Sequence, residues 1–183
     1  MRSLFLVFVL FTFGCSEKNE AARLQIAYLS MQYPESWWTT TSWRDIEPLE
    51  PEPSGEDALV GIFAASPDDP NEVDVNFSSG IVAEIRTIPD FMYFDERMYL
   101  SLYLNYDTEF VYSEGDIKAA RFGDLSGYSV PISHGYGDLT GMIFVSKQKA
   151  SFVLLYCYYY DEEGKAKIYE RLNTLKLHPW SEL

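Results

Sequence analysis

Ser151-Phe152-Val153-Leu154-Leu155-Tyr156-Cys157-Tyr158-Tyr159-Tyr160 is the stretch on which the fold turns. Every residue after Ser151 is apolar or aromatic. A strand with one wet face alternates polar and apolar residues at period 2, whereas a strand covered on both sides reads as a continuous apolar run. Residues 150–160 are therefore predicted to be a central strand buried on both faces. Lys147-Gln148-Lys149 precedes it as a polar turn, so residues 139–146 form the other arm of a hairpin.

On the C-terminal side, Asp161 is placed to cap a helix that starts near Glu162, because its side chain can accept from an orphan backbone N–H of the first turn. Ile168, Leu172 and Leu175 then supply the buried stripe. Upstream, strands are expected at 109–112, 117–122 and 128–133, with glycine-containing turns between them. Another helix is expected after Pro89 and Asp90, which suit a first turn. Its stripe would be Phe91, Phe94, Met98 and Leu102, spaced by 3, 4 and 4 residues, and it would stop near Asn105.

Further upstream, 59–65 has strand length and 67–71 reads as a turn. Val73, Val75 and Phe77 alternate with Asp74 and Asn76, and 81–85 continues them after Ser78-Ser79-Gly80. Residues 39–57, with three prolines and six acidic groups, read as a surface loop. Residues 24–29 read as the first strand, running on into 31–37. Two helices and a doubly buried strand together predict an α+β fold: a central antiparallel sheet covered by helices on both faces, an αβα sandwich.

The N-terminus carries an address. Arg2 is followed by an apolar run, residues 4–13, interrupted at Thr12. Such a run is too short for a bilayer core of roughly 30 Å and fits a cleavable leader. It ends in Thr12-Phe13-Gly14-Cys15, which resembles a bacterial lipobox, with Thr12 where leucine is usual. Residues 1–14 are thus predicted to be a signal peptide. Cys15 is the expected lipidation site, carrying acyl chains of the palmitate type. Residues 15–22 form a polar tether, and 23–183 one folded domain. Ser16 after the cysteine favours the outer membrane if the cell is Gram-negative.

Removal of the leader leaves 169 of 183 residues, enough to bury about 70% of the unfolded surface in a single domain. With Cys15 acylated, Cys157 remains alone, so no intramolecular disulfide is expected and the core must hold the fold. Fourteen Tyr, twelve Phe and four Trp supply it. The formal net charge of −14 argues against nucleic acid, whose phosphates require clustered Lys and Arg. Anionic headgroups would repel the same surface, so membrane attachment is expected through the lipid.

Four stretches, taken in order, carry a resemblance. Tyr33-Pro34-Glu35-Ser36-Trp37 resembles an entry motif in which a strand turns at a proline and a tryptophan anchors it. Val73-Asp74-Val75-Asn76-Phe77 is similar to a second-strand pattern, and Phe122-Gly123-Asp124-Leu125-Ser126-Gly127-Tyr128 looks like the glycine-containing bend before a core strand. The aromatic hairpin 139–160 with its terminal helix completes the set. Over roughly 24–180 the chain thus resembles the PsbP-like family, whose fold is shared with a Ran-binding family of nuclear proteins. The acidic segment 39–57 has no counterpart there. The resemblance implies a PsbP-like sandwich and a non-enzymatic scaffold, since family members include extrinsic accessory subunits and bacterial lipoproteins. No metal or partner residues carry across from it, because no family site motif is recognisable here, and no cofactor is expected.

The residues that could carry chemistry are few. Ser133, His134 and Asp138 are neighbours in sequence, but a triad is assembled by folding and not by adjacency, and a turn is the expected role. His178, after the last helix, is expected to serve as a C-terminal cap. Cys157 is expected to be an inert core thiol. Asp68-Asp69-Pro70-Asn71-Glu72-Val73-Asp74 offers oxygen ligands without EF-hand spacing and reads as an acidic turn. The tyrosines of 156–160 are expected to pack the core. Trp37, Trp38 and Trp43 lie within seven residues of one another beside the acidic segment, and are the candidate partner interface. The expected function is a membrane-tethered, non-enzymatic binding or accessory subunit of an envelope complex, partnered by an envelope protein. The competing readings are a hydrolase using His134 and a carrier of a small apolar ligand.

Overall fold

The computed structural model describes residues 21–43, 59–67, 79–87, 95–106, 110–134, 139–148 and 151–179. In chain order the strands are β1 (Ala21–Ile26), β2 (Leu29–Pro34), β3 (Trp38–Trp43), β4 (Leu59–Ser66) and β5 (Gly80–Thr87). Helix α1 (Glu96–Tyr106) is followed by β6 (Phe110–Val111), a 3-10 turn, β7 (Lys118–Phe122), β8 (Leu125–His134), β9 (Thr140–Gln148) and β10 (Ser151–Tyr159). Helix α2 (Glu162–Leu172) and β11 (Lys176–Leu177) close the described chain.

Strand β10 is central. It pairs antiparallel with β5 on one side and β9 on the other, in an eight-stranded sheet ordered β3-β4-β5-β10-β9-β8-β6, with β7 also on β8. Its side chains divide by parity. Val153, Leu155 and Cys157 enter one apolar cluster, and Phe152, Leu154 and Tyr156 enter the other. The continuous apolar run is explained by this double burial.

The αβα sandwich is not the architecture. The described chain is mostly β, with two antiparallel sheets and two helices of eleven residues each. The face carrying Val153, Leu155 and Cys157 is roofed by a second sheet, β1-β2-β11, working with α2. Leu24, Ile26, Leu29 and Met31 of that small sheet share the cluster with Ile168 and Leu172 of α2. Helix α1 packs over β8 and β9 on the opposite face. The physical cause lies at Ala27, which adopts a left-handed backbone with φ of 43°. The chain doubles back there, so that Ile26 faces Leu29 in a two-residue hairpin and leaves the main sheet. Such turns usually advertise themselves by Asn or Gly. Here Ala27-Tyr28 gives no such signal, and the hairpin reads as one strand.

Other boundaries move for similar reasons. β3 occupies residues expected in the surface loop, because its threonines and terminal tryptophans favour extended chain. The helix expected from Pro89 is described from Glu96, and 88–94 lie outside the described residues. Its stripe is also different: Met98 and Leu102 are 52% and 37% exposed, while Tyr99, Leu100 and Leu104 are buried. All are i, i+4 choices, and the aromatic pair wins by stacking. Tyr99 lies on Phe152 with centroids 4.0 Å apart, and the Tyr156 hydroxyl donates to that of Tyr103 at 2.7 Å.

At the start of α2 and along its buried face the expectation holds. The Asp161 carboxylate accepts from the Gly164 N–H at 2.7 Å, and Ile168, Leu172 and Leu175 are buried. The β7–β8 turn needs Gly123, whose φ is 55° and which lies so close to the Leu175 carbonyl that a Cβ would come within 2.1 Å of it. The strand pattern at 73–77 and the acidic turn 68–74 lie outside the described residues.

Candidate functional site

The route from the small sheet to the large one passes through the tryptophans. β2 ends at Pro34, the Trp37 N–H donates to the Pro34 carbonyl at 2.9 Å, and the chain enters β3 at Trp38. Trp37 is half-buried against the cluster beneath the small sheet. Trp38 is also half-buried, opposite Ser66, and Trp43 pairs in register with Gly61. Among the described residues β3 is hydrogen-bonded to β4 alone, so it forms one end of the large sheet. It holds no charged residue and no proline. Thr40 and Thr41 are exposed. The segment that follows, 44–57, carries Asp45, Glu47, Glu50, Glu52, Glu56 and Asp57 against Arg44 alone.

The tyrosines of the central strand divide otherwise than a stacking platform would require. Tyr156 and Tyr159 are buried, Tyr158 is half-buried and Tyr160 is exposed. Tyr156 links to Tyr103 and, at 3.5 Å, to the Glu84 carboxylate, which is itself paired with Arg86 Nη1 at 2.9 Å. Burial and the hydrogen bond to Tyr103 push the Tyr156 hydroxyl far above its ordinary range. Tyr28, hydrogen-bonded to Ser151 at 2.6 Å, is pushed up to about 12 by burial, with the Ser151 bond opposing. These hydroxyls are interior polar groups, satisfied by Tyr103 on α1 and by Ser151 on β10 respectively, and they tie the large sheet to its cover on each face.

His178 does not cap α2. The helix closes at Asn173, whose N–H reaches the Arg171 and Tyr169 carbonyls. Instead, the His178 N–H donates to the Tyr28 carbonyl at 2.7 Å, and its Nε2 lies 2.7 Å from both Ser30 Oγ and Arg23 Nη2. A serine and a histidine at this distance invite comparison with a nucleophile and its base. A guanidinium can only donate, so Arg23 occupies the lone pair that a general base would need. Ser30 is also just 3% exposed, which withholds it from a substrate. The trio ties the C-terminal strand to the N-terminal hairpin.

His134 ends β8 opposite Phe110, and residues 135–138, including Asp138, lie outside the described residues. Cys15 lies outside them as well. Cys157 is fully buried and burial pushes its thiol well up, away from the thiolate that reacts. Native protein is accordingly expected to resist thiol reagents, with labelling at Cys157 appearing together with denaturant unfolding. Rapid labelling of the folded chain would contradict the assignment. Among the described residues no group of three His, Cys, Asp or Glu is placed to hold a metal ion, and no helix is long and apolar enough to cross a membrane.

No protein-family model matches the chain, and no curated protein matches it by sequence. Among solved structures it is similar to the solution structure of cyanobacterial PsbP (CyanoP) from Synechocystis sp. PCC 6803. The likeness covers 92% of this chain and 99% of that one, at a TM-score of 0.51 and 11% identity. At that identity the match speaks for architecture alone. The fold of this chain is PsbP-like.

Proposed function

We propose that this chain is a non-enzymatic binding or accessory domain, tethered to a membrane by lipid on Cys15, that presents its tryptophan-bounded sheet edge to an envelope protein. The observation that carries the reading is β3: an uncharged edge strand with Trp38 and Trp43 at its ends, followed by six carboxylates. Tryptophans concentrate binding energy at interfaces, while surrounding charge mainly steers encounter. The PsbP-like fold supports the accessory class, because the family that this chain resembles includes extrinsic subunits. The Ser30–His178 pair is read as structural, because Arg23 donates to the ring nitrogen that a general base would use.

The test is capture of envelope proteins on the chain purified in mild detergent, with Trp38→Ala as the paired bait. A specific partner is expected on the parent, with affinity about 30-fold or more weaker on the variant, the order of a hot-spot loss of about 2 kcal/mol. Circular dichroism must show that Trp38→Ala still folds, since Trp38 is half-buried. Equal capture by a folded Trp38→Ala protein would exclude this face as the interface.

A further inference from the structure

A sheet edge exposes a row of unpaired N–H and C=O groups, and proteins usually blunt it with charge, proline, a bulge or a very short strand. The two ends of the large sheet differ in this respect. At one end β6 has two residues, and its neighbour on β8, β7, carries Lys118 and Arg121. At the other end β3 runs for six residues, Trp38-Thr39-Thr40-Thr41-Ser42-Trp43, with none of these guards. Threonine and tryptophan moreover favour extended pairing. We propose that this edge takes up an extended, lysine- or arginine-bearing segment of a partner protein as an added β-strand, a deepening that rests on the binding-domain reading above.

The occupant follows from charge. The chain leaving β3 carries six carboxylates and one arginine within 44–57, and the whole chain carries a formal −14. A second copy would bring the same acidic segment and the same net charge to the contact, so like-charge repulsion opposes edge-to-edge pairing of this chain with itself. A basic segment is attracted by the same charge. The incoming backbone supplies affinity through ladder hydrogen bonds, and its alternate side chains supply selectivity. One face of the added strand would extend the row Thr40, Ala64, Val82, which is small and apolar beyond Thr40 and so suits a β-branched residue.

The probe is a labelled twelve-residue peptide alternating valine and lysine, titrated against the full chain in detergent by fluorescence anisotropy. It is expected to bind. The same peptide N-methylated at alternate residues keeps its charge but cannot complete a ladder, and is expected to bind at least tenfold more weakly. Thr40→Lys, on an exposed position, is expected to weaken the parent peptide at least tenfold without altering circular dichroism. A valine–glutamate peptide is expected not to bind. The proposal is overturned if the N-methylated peptide binds as tightly as the parent, if valine–glutamate binds equally, or if Thr40→Lys has no effect. It is overturned as well if the chain sediments as a dimer that Thr40→Lys makes monomeric, because then the edge is filled by a second copy. The two readings separate cleanly. Trp38-dependent capture of an envelope protein with Thr40→Lys inert removes strand addition and leaves the accessory role. Ladder-dependent peptide binding with no envelope protein captured does the reverse.

Discussion

Replacing Cys15 by Ser is expected to move the chain from the detergent phase into the aqueous one, as precursor or as soluble protein. The magnitude follows from anchoring thermodynamics. Each buried methylene contributes about 0.8 kcal/mol. One myristoyl chain gives a binding constant of only about 10⁴ M⁻¹, and two chains hold firmly. Loss of Cys15 is therefore expected to remove essentially all of the attachment. The rest of the surface has no electrostatic means of replacing it, because a formal −14 is repelled by anionic headgroups. The measurement is phase partitioning of parent and Cys15→Ser, together with the mass of the mature N-terminus. Unchanged partitioning of the serine variant would remove the lipid anchor from this protein.

The largest stability effect is expected at Phe144. It is fully buried in the cluster shared by β9, β10, the small sheet and α2. Phe122 meets it edge-on at 5.1 Å, and Phe122 in turn meets Tyr169 of α2 at 5.6 Å. Truncation to alanine removes the edge-on contact with Phe122 and leaves a cavity beside the Phe122–Tyr169 pair, at a cost of about 3–5 kcal/mol. Against a typical total of about 5–15 kcal/mol that is a large fraction. For a domain of this size each kcal/mol moves Tm by about 2–4 °C, so Phe144→Ala should melt about 10 °C lower. Met98→Ala is the internal control. Met98 is 52% exposed on α1, and its truncation should move Tm by no more than about 2 °C. Equal effects of the two substitutions would mean that α1 faces the sheet with the Met98–Leu102 stripe, contrary to the arrangement found.

The contrast between Phe144 and Met98 shows how far local reading reaches. Residues 151–160 could be placed at the centre of a sheet because nine consecutive apolar residues leave no wet face, whatever covers them. The start of α2 was equally legible, since Asp161 caps the turn that immediately follows it and Ile168, Leu172 and Leu175 report one helix face. In α1 the same reasoning failed. Met98/Leu102, Leu100/Leu104 and Tyr99/Tyr103 are all i, i+4 pairs, and periodicity alone cannot choose among them. The choice was made by Phe152 and Tyr156, about fifty residues away, which offer a stacking face and a hydroxyl partner.

The candidate site divides in the same way. The tryptophans and the acidic segment were visible as composition. That Trp38–Trp43 is a strand, and an edge strand, depends on pairing with β4 across a segment rich in proline and carboxylate, which read as loop from its first residues. His178 lies beside Ser30 and Arg23 from sequence separations of 148 and 155 residues, which no local window contains.

The sequence by itself thus determined the local quantities: a formal charge of −14, a doubly buried central strand and a capped terminal helix. These depend on burial and capping within one element. Only the tertiary structure decided that a second β-sheet shares the cover of that strand, that Ala27 turns the chain to build it, and that β3 ends the large sheet among the described residues. Each of these is set by which distant segments pair, and the free energy of pairing is shared between partners that neither stretch of sequence carries alone.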